Sequence, residues 1–129
     1  MYELLDGFKK IRNKLIKQSL KCVFYWVLEV ERLAYIYKIE NTINKKFYIG
    51  SSVNYKRRWE QHIYELNKNK HDNIHLQRAW NKYGKDNFEF SIIEECENSN
   101  QYIEEQYYLD MLQPFGDIGY NMSRIAKVS

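Results

Sequence analysis

Five side chains in this 129-residue sequence are of the types that polar bond chemistry uses: Tyr37, Tyr48, Arg58, His62 and one carboxylate of the pair Glu104 and Glu105. An arginine fork meets two anionic oxygens at once, an imidazole exchanges a proton near neutral pH, and a carboxylate holds a hard cation. Arg58 and His62 stand four residues apart, so on a helix they lie one above the other. Glu105 falls between Leu109 and Leu112 and near Tyr102, where an unpaired carboxylate is costly to bury. Glu104 is similarly crowded by Tyr108 and Met111, and periodicity does not choose between the two. Each residue also has a plainer reading. Tyrosines pack well in strands, an arginine forms surface ion pairs, and a histidine packs at the edge of an apolar stripe.

These side chains need elements to position them. Tyr35 to Glu40 alternates in period two, and Lys46 to Gly50 follows after a polar break, which predicts a β-hairpin. With Asn44-Lys45 as the turn centre, Asn41 opposes Tyr48 and Ile39 opposes Gly50, so Tyr37, Ile39, Tyr48 and Gly50 share a sheet face. Ser52 or Asn54 caps a helix running to about Leu66, with Tyr55, Trp59, Ile63 and Leu66 as its apolar stripe and Arg58 and His62 half-buried at its edge. A second helix spans about Asn73 to Tyr83, stopped by Gly84, with Leu76, Ala79, Trp80 and Tyr83 inward and His75, Arg78 and Lys82 on its other side. Phe88 to Ile93 reads as a third strand. A third helix from about Asn98, with Gln101 completing a capping box, runs to Leu112 and ends at Gln113-Pro114-Phe115-Gly116. Upstream, Met1 to Leu33 predicts a helical extension, with Leu4, Leu5, Phe8, Ile11, Leu15 and Leu20 at helical spacing; Cys22 to Val30 fits either a continued helix or a buried strand.

Composition narrows the function classes. A chain of 15.8 kDa with 44% hydrophobic and 16% aromatic residues supplies one ordinary core, which argues against disorder and against a second domain. The net charge of +3 is small, but its distribution is not even. Lys45 to Lys82 carries nine basic and three acidic residues, whereas Tyr83 to Ser123 carries one basic and nine acidic. The first stretch suits phosphate and the second a cation, although both patterns also suit solvated helix faces. Two cysteines, Cys22 and Cys96, make neither a disulfide framework nor a zinc cluster. With no signal-peptide pattern and no apolar run of spanning length, the expectation is a soluble intracellular protein that does not enter a membrane.

The ordered combination resembles the GIY-YIG nuclease family over about Ala34 to Ser123. Tyr35-Ile36-Tyr37 stands in place of the first motif and Tyr48-Ile49-Gly50 is the second intact. Arg58 and His62 follow, then His71, then Leu76 to Gly84, which resembles the helix-and-glycine segment of phage and intron-encoded members. Glu105-Gln-Tyr-Tyr-Leu109 is similar to the family's metal-carboxylate helix, and Gly119-Tyr120-Asn121 to its closing motif.

The resemblance implies an α+β fold, a small three-stranded, mostly antiparallel sheet flanked by helices, here with an N-terminal helical extension (1–33) and a short basic tail (124–129). It implies a DNA endonuclease in which Mg²⁺ or Mn²⁺ and a water cleave a phosphodiester. Carried over, Tyr37 is the general base or water-orienting phenol, Tyr48 a phosphate or water contact, and Arg58 the phosphate clamp. His62 is a proton-transfer or orienting partner and Glu105 the metal ligand; His71 and Asn121 are second-tier candidates. An unperturbed phenol is a poor base at neutral pH, so Arg58 and the metal would have to favour the phenolate, or Tyr37 only positions water.

Tyr35 departs from the family by replacing a glycine, and would narrow the substrate groove. Homing enzymes that resemble this segment carry a separate DNA-recognition region after the nuclease domain, and only Arg124 to Ser129 follow it in this sequence. The alternative is a domain that keeps the fold without activity and binds nucleic acid, with Lys56, Arg57, Arg78 and Lys82 as sequence-independent phosphate contacts. A further expectation is self-association or a protein partner for the N-terminal helix through its apolar face.

Overall fold

Alternation in the first strand buries residues on both of its sides. In the computed structural model, which describes residues 33–126, β1 (Leu33–Asn41) directs Ala34 and Ile36 to one face and Tyr37, Ile39 and Asn41 to the other, all five buried. A strand covered on both faces belongs in the middle of a sheet. The antiparallel sheet has the order β2-β1-β3, with β2 (Phe47–Ser52) at one edge and β3 (Phe88–Glu97) at the other. The helical extension expected before β1, its self-association, Cys22 and the last three residues lie outside the described residues.

The hairpin register differs from expectation by two residues. Tyr37 faces Gly50 and Ile39 faces Tyr48. The turn is not the two-residue Asn44-Lys45 type. Instead Asn41 N–H donates to Lys46 O and Lys45 N–H to Asn41 O, both at 2.8 Å, and Lys45 rather than Asn44 takes the left-handed conformation, with φ of 66°. Side chains enforce this longer turn, because Asn41 Oδ1 accepts from Ile43 N–H and Asn44 Oδ1 from Lys46 N–H, each at 3.0 Å. A two-residue slip leaves facing unchanged, so Tyr37, Ile39, Tyr48 and Gly50 still share one surface.

Helices cover the two faces. On the tyrosine face lie α1 (Tyr55–Asn67) and α2 (Ile74–Tyr83), where Tyr37, Ile39, Leu66, Leu76, Ala79, Trp80 and Tyr120 form a buried cluster. Asn54 caps α1 by accepting from Arg57 N–H, and Asn73 caps α2 by accepting from Leu76 N–H. The opposite face is covered by α3 (Gln101–Leu112), whose Leu109 packs with Ile36 and Ile49. Two expectations fail here. β3 runs to Glu97 rather than Ile93, and the capping box does not form, because residues 98–100 make a 3₁₀ turn and α3 has no side-chain cap. Gln101 instead donates through Nε2 to Ser51 Oγ (2.9 Å), tying the start of α3 to β2.

The exposed edge of β2 is closed by the chain after α3. Phe47 bridges Gly119, Tyr120 N–H donates to Phe47 O at 2.9 Å, and the Asn121 amide accepts from Ile49 N–H (2.8 Å) and donates to Ile49 O (2.9 Å). An unpaired strand edge is thereby satisfied within the chain. No helix among the described residues is long and apolar enough to cross a membrane.

Candidate active site

The site grows from the pairing of Tyr37 with Gly50. A side chain on Gly50 would have its Cβ 2.5 Å from the Tyr37 hydroxyl and 2.6 Å from Cζ, so the absence of one lets the phenol lie across β2. Tyr48, on the same face, brings its ring centroid to 6.5 Å from that of Tyr37. Burial drives both phenols above their ordinary pKa, with Tyr48 adding to the rise at Tyr37, while Arg58 pulls the other way on both.

Helix α1 supplies the next two groups. His62, not Ile63, occupies the inward position: the imidazole is fully buried while Ile63 is 37% exposed. Expected at a half-buried edge, His62 goes fully inside because both ring nitrogens find partners, Nε2 with the Tyr37 hydroxyl and Nδ1 with His71 Nε2, each at 2.7 Å. The two imidazoles stack with centroids 4.9 Å apart and planes 18° apart. Burial, reinforced by Arg58 and His71, lowers the His62 pKa to about 3, and burial likewise lowers that of His71, so both rings are neutral at neutral pH. Arg58, one turn before His62 and half-buried, lines the same cleft as Tyr37 and donates through Nη1 to Gln61 Oε1 (3.0 Å).

The carboxylate comes from the other layer. Glu105, one turn before Leu109 on α3, is 8% exposed and reaches past edge strand β2 into the cleft that holds both tyrosines. Glu104 turns instead toward Glu94 of β3; burial and that neighbouring carboxyl raise its pKa. The cleft measures about 560 Å³, and its lining includes Tyr37, Tyr48, Gly50, Arg58, Glu105 and His71.

Other expected residues fall differently. Asn121 lines the cleft, but both polar atoms of its amide are engaged by the Ile49 backbone, so it holds the wall. Lys56, Arg57, Arg78 and Lys82 are exposed and lie outside the lining. Tyr35 is not part of the cleft lining; its ring packs edge-on against Tyr55, with centroids 4.8 Å apart. Two contributors escape the sequence reading. Gln61 steers Arg58, and its i+3 spacing on α1 was the available signal. Asn73 also donates its backbone N–H to His71 Nδ1 at 3.0 Å, which no pattern in the sequence marks.

For a metal, the relevant test is the donor set. No group of three or more histidine, cysteine or acidic side chains that could cage an ion occurs among the described residues. One buried carboxylate in an open polar cleft fits Mg²⁺ or Mn²⁺, since Mg²⁺ keeps several waters and takes one or two protein carboxylates.

A small α+β domain in which a sheet face and a helix of the opposite layer share one cleft is the class this geometry defines. The chain matches the GIY-YIG catalytic domain over residues 33–121, and it belongs to that family. Among its relatives, it is 48% identical over 60 residues to "Intron-associated endonuclease 1" of Enterobacteria phage T4, covering 46% of this chain and 24% of that protein. It is 44% identical over 59 residues to "Probable intron-encoded endonuclease 1" of Neurospora crassa, covering 46% and 18%. The chain thus spans a quarter or less of the length of these relatives. Its structure resembles the catalytic domain of intron endonuclease I-TevI with a TM-score of 0.65 in a mutant form (35% identity, 73% of this chain and 97% of that one). For the structure titled as the catalytic domain of homing endonuclease I-TevI, the TM-score is 0.63 (37% identity, 70% and 98%).

Proposed function

We propose that this chain is a metal-dependent DNA endonuclease that hydrolyses a phosphodiester by attack of an activated water. The observation that carries this reading is the convergence of Arg58, Tyr37, Tyr48 and buried Glu105 on one cleft. In-line attack on a phosphodiester builds charge on the non-bridging oxygens, and Arg58, steered by Gln61, meets them with a fixed fork. Tyr37 and Tyr48, neutral at working pH, position the phosphate and the attacking water through their hydroxyls. Glu105 would hold Mg²⁺ or Mn²⁺, which when bound polarises a phosphoryl oxygen and lowers the pKa of a coordinated water.

DNA is the substrate that the names of the relatives and the surface charge both favour. Lys56 and Arg57 project from the first turn of α1, which contains no acidic residue, so side-chain charge and helix dipole attract an anion together. Arg78 and Lys82 add exposed positive charge on α2.

Supercoiled plasmid with Mg²⁺ or Mn²⁺ tests the reading. Wild type should nick it, EDTA should stop the reaction, and Glu105→Gln should lose cleavage while still shifting DNA in a gel. Calorimetric titration of Mn²⁺ should lose its heat in the same variant. Cleavage that persists unchanged in EDTA or in Glu105→Ala refutes the metal role; salt-sensitive DNA binding without cleavage under any divalent ion refutes the endonuclease.

A further inference from the structure

The hydrogen bonds behind Tyr37 admit one self-consistent assignment of protons. Asn73 N–H donates to His71 Nδ1 at 3.0 Å, and a ring nitrogen that accepts carries no proton. Neutral His71 is therefore protonated at Nε2. That nitrogen lies 2.7 Å from His62 Nδ1, which must accept, and the single proton of His62 is then on Nε2. Nε2 lies 2.7 Å from the Tyr37 hydroxyl, so the imidazole donates and the phenol oxygen accepts. The positive charge of Arg58 acts on the same phenol, opposing the rise in its pKa.

We propose that the backbone amide of Asn73, acting through His71 and His62, holds the Tyr37 oxygen as an acceptor toward the protein interior and turns its O–H into the cleft. His62 is then a positioning residue that does not take the Tyr37 proton. Reversing the chain would put the His71 proton on Nδ1, against the Asn73 N–H, and leave that amide without its acceptor. An unsatisfied buried donor costs about 1–3 kcal/mol, and His62, fully buried, has no water to take up the change. The consequence for catalysis rests on the endonuclease reading: Tyr37 offers a donor to a phosphate oxygen or to the attacking water, and a proton leaving Tyr37 exits through the cleft. The assignment of tautomers is independent of that reading.

Long-range ¹⁵N–¹H NMR of the histidine rings in the full chain near neutral pH reads the tautomers without any substrate. His62 and His71 should both appear as Nε2–H forms; a His62 protonated at Nδ1 overturns the proposal. His71→Gln keeps an N–H donor where Nε2 stands, whereas His71→Glu puts an acceptor there and forces the His62 proton onto Nδ1. The glutamine variant should retain the His62 Nε2–H signature and cleave plasmid at least ~10-fold faster than the glutamate variant. Equal His62 tautomers in the two variants overturn the relay. Absence of cleavage by wild type, with the expected tautomers present, instead refutes the endonuclease reading.

Discussion

Adding a single methyl group at Gly50 puts the positioning of Tyr37 to a direct test. In Gly50→Ala the new Cβ would lie 2.5 Å from the hydroxyl oxygen, 2.6 Å from Cζ and 2.9 Å from Cε2 of Tyr37. Ordinary contact begins near 3.4 Å, so the ring must move by roughly 1 Å. Tyr37 is 1% exposed and its hydroxyl bonds to His62 at 2.7 Å, so the displacement either breaks that bond or carries His62 with it. Overpacking of this kind costs about 1–3 kcal/mol. Misplacement of a catalytic group by 1 Å costs on the order of 100-fold in rate. Urea unfolding and single-turnover plasmid nicking measure the two effects.

Gly84→Ala is the control. Nothing lies within 4 Å of its added Cβ, but its φ of 85° and ψ of 152° strain any side chain, so it should lose about 1–3 kcal/mol with cleavage nearly intact. If Gly50→Ala unfolds and cleaves as wild type does, the motif glycine is not what makes room for the phenol.

Three further outcomes follow from the same geometry. His62 titrates near 3 when folded against 6.5 when unfolded, so the unfolded chain binds the extra proton in that window; stability is full above pH 6.5 and falls by up to ~1.4 kcal/mol per pH unit below it. Urea midpoints at pH 7.5 and 5 should show this, and His62→Gln should flatten the difference; an equally steep slope in the variant refutes the assignment. Asn121→Asp keeps the acceptor for Ile49 N–H but sets an oxygen against Ile49 O, which should cost about 1–3 kcal/mol and speed exchange of the Ile49 amide, as hydrogen exchange would report. Burial, with Glu104 and Glu94 adding, raises the Cys96 thiol from 9.0 to about 11, so in a Cys22→Ser background it should react with maleimide about 100-fold more slowly than a free thiol, and equal rates would refute that.

What the sequence reveals and what it hides divide along physical lines. Alternation in Tyr35 to Glu40 and Lys46 to Gly50 makes the hairpin and its facing legible, because parity survives a two-residue slip. The register itself is decided by Asn41 and Asn44 bonding to backbone N–H groups inside the turn, and periodicity does not report such bonds. Ile63 outranks His62 on any hydrophobic pattern, yet the imidazole goes inside because its partners sit 25 and 9 residues away in the chain. Choosing Glu105 over Glu104 fails from pattern for a related reason. Apolar residues surround α3 on nearly every side, and the choice depends on which carboxylate faces the edge of β2 and which faces Glu94. The resemblance to the family, not periodicity, singled out Glu105, the carboxylate that lines the cleft.

Placing the cleft at an edge strand is what allows residues of opposite layers to meet. Between central strands, the sheet would separate Tyr37 and Tyr48 on one face from a helix packed on the other. At β2 the sheet ends, and Glu105 reaches past it to the tyrosine side. An edge used this way is exposed to mispairing and to fraying, either of which would move Gly50 and Tyr48 together. Gly119, Tyr120 and Asn121 remove that freedom by occupying the Phe47 and Ile49 backbone groups, while Tyr120 is also held through its hydroxyl by Asn41 at 3.1 Å. Motifs far apart in the chain are therefore adjacent in space: one supplies the phenols, one the carboxylate, and the last fixes the strand around which they meet.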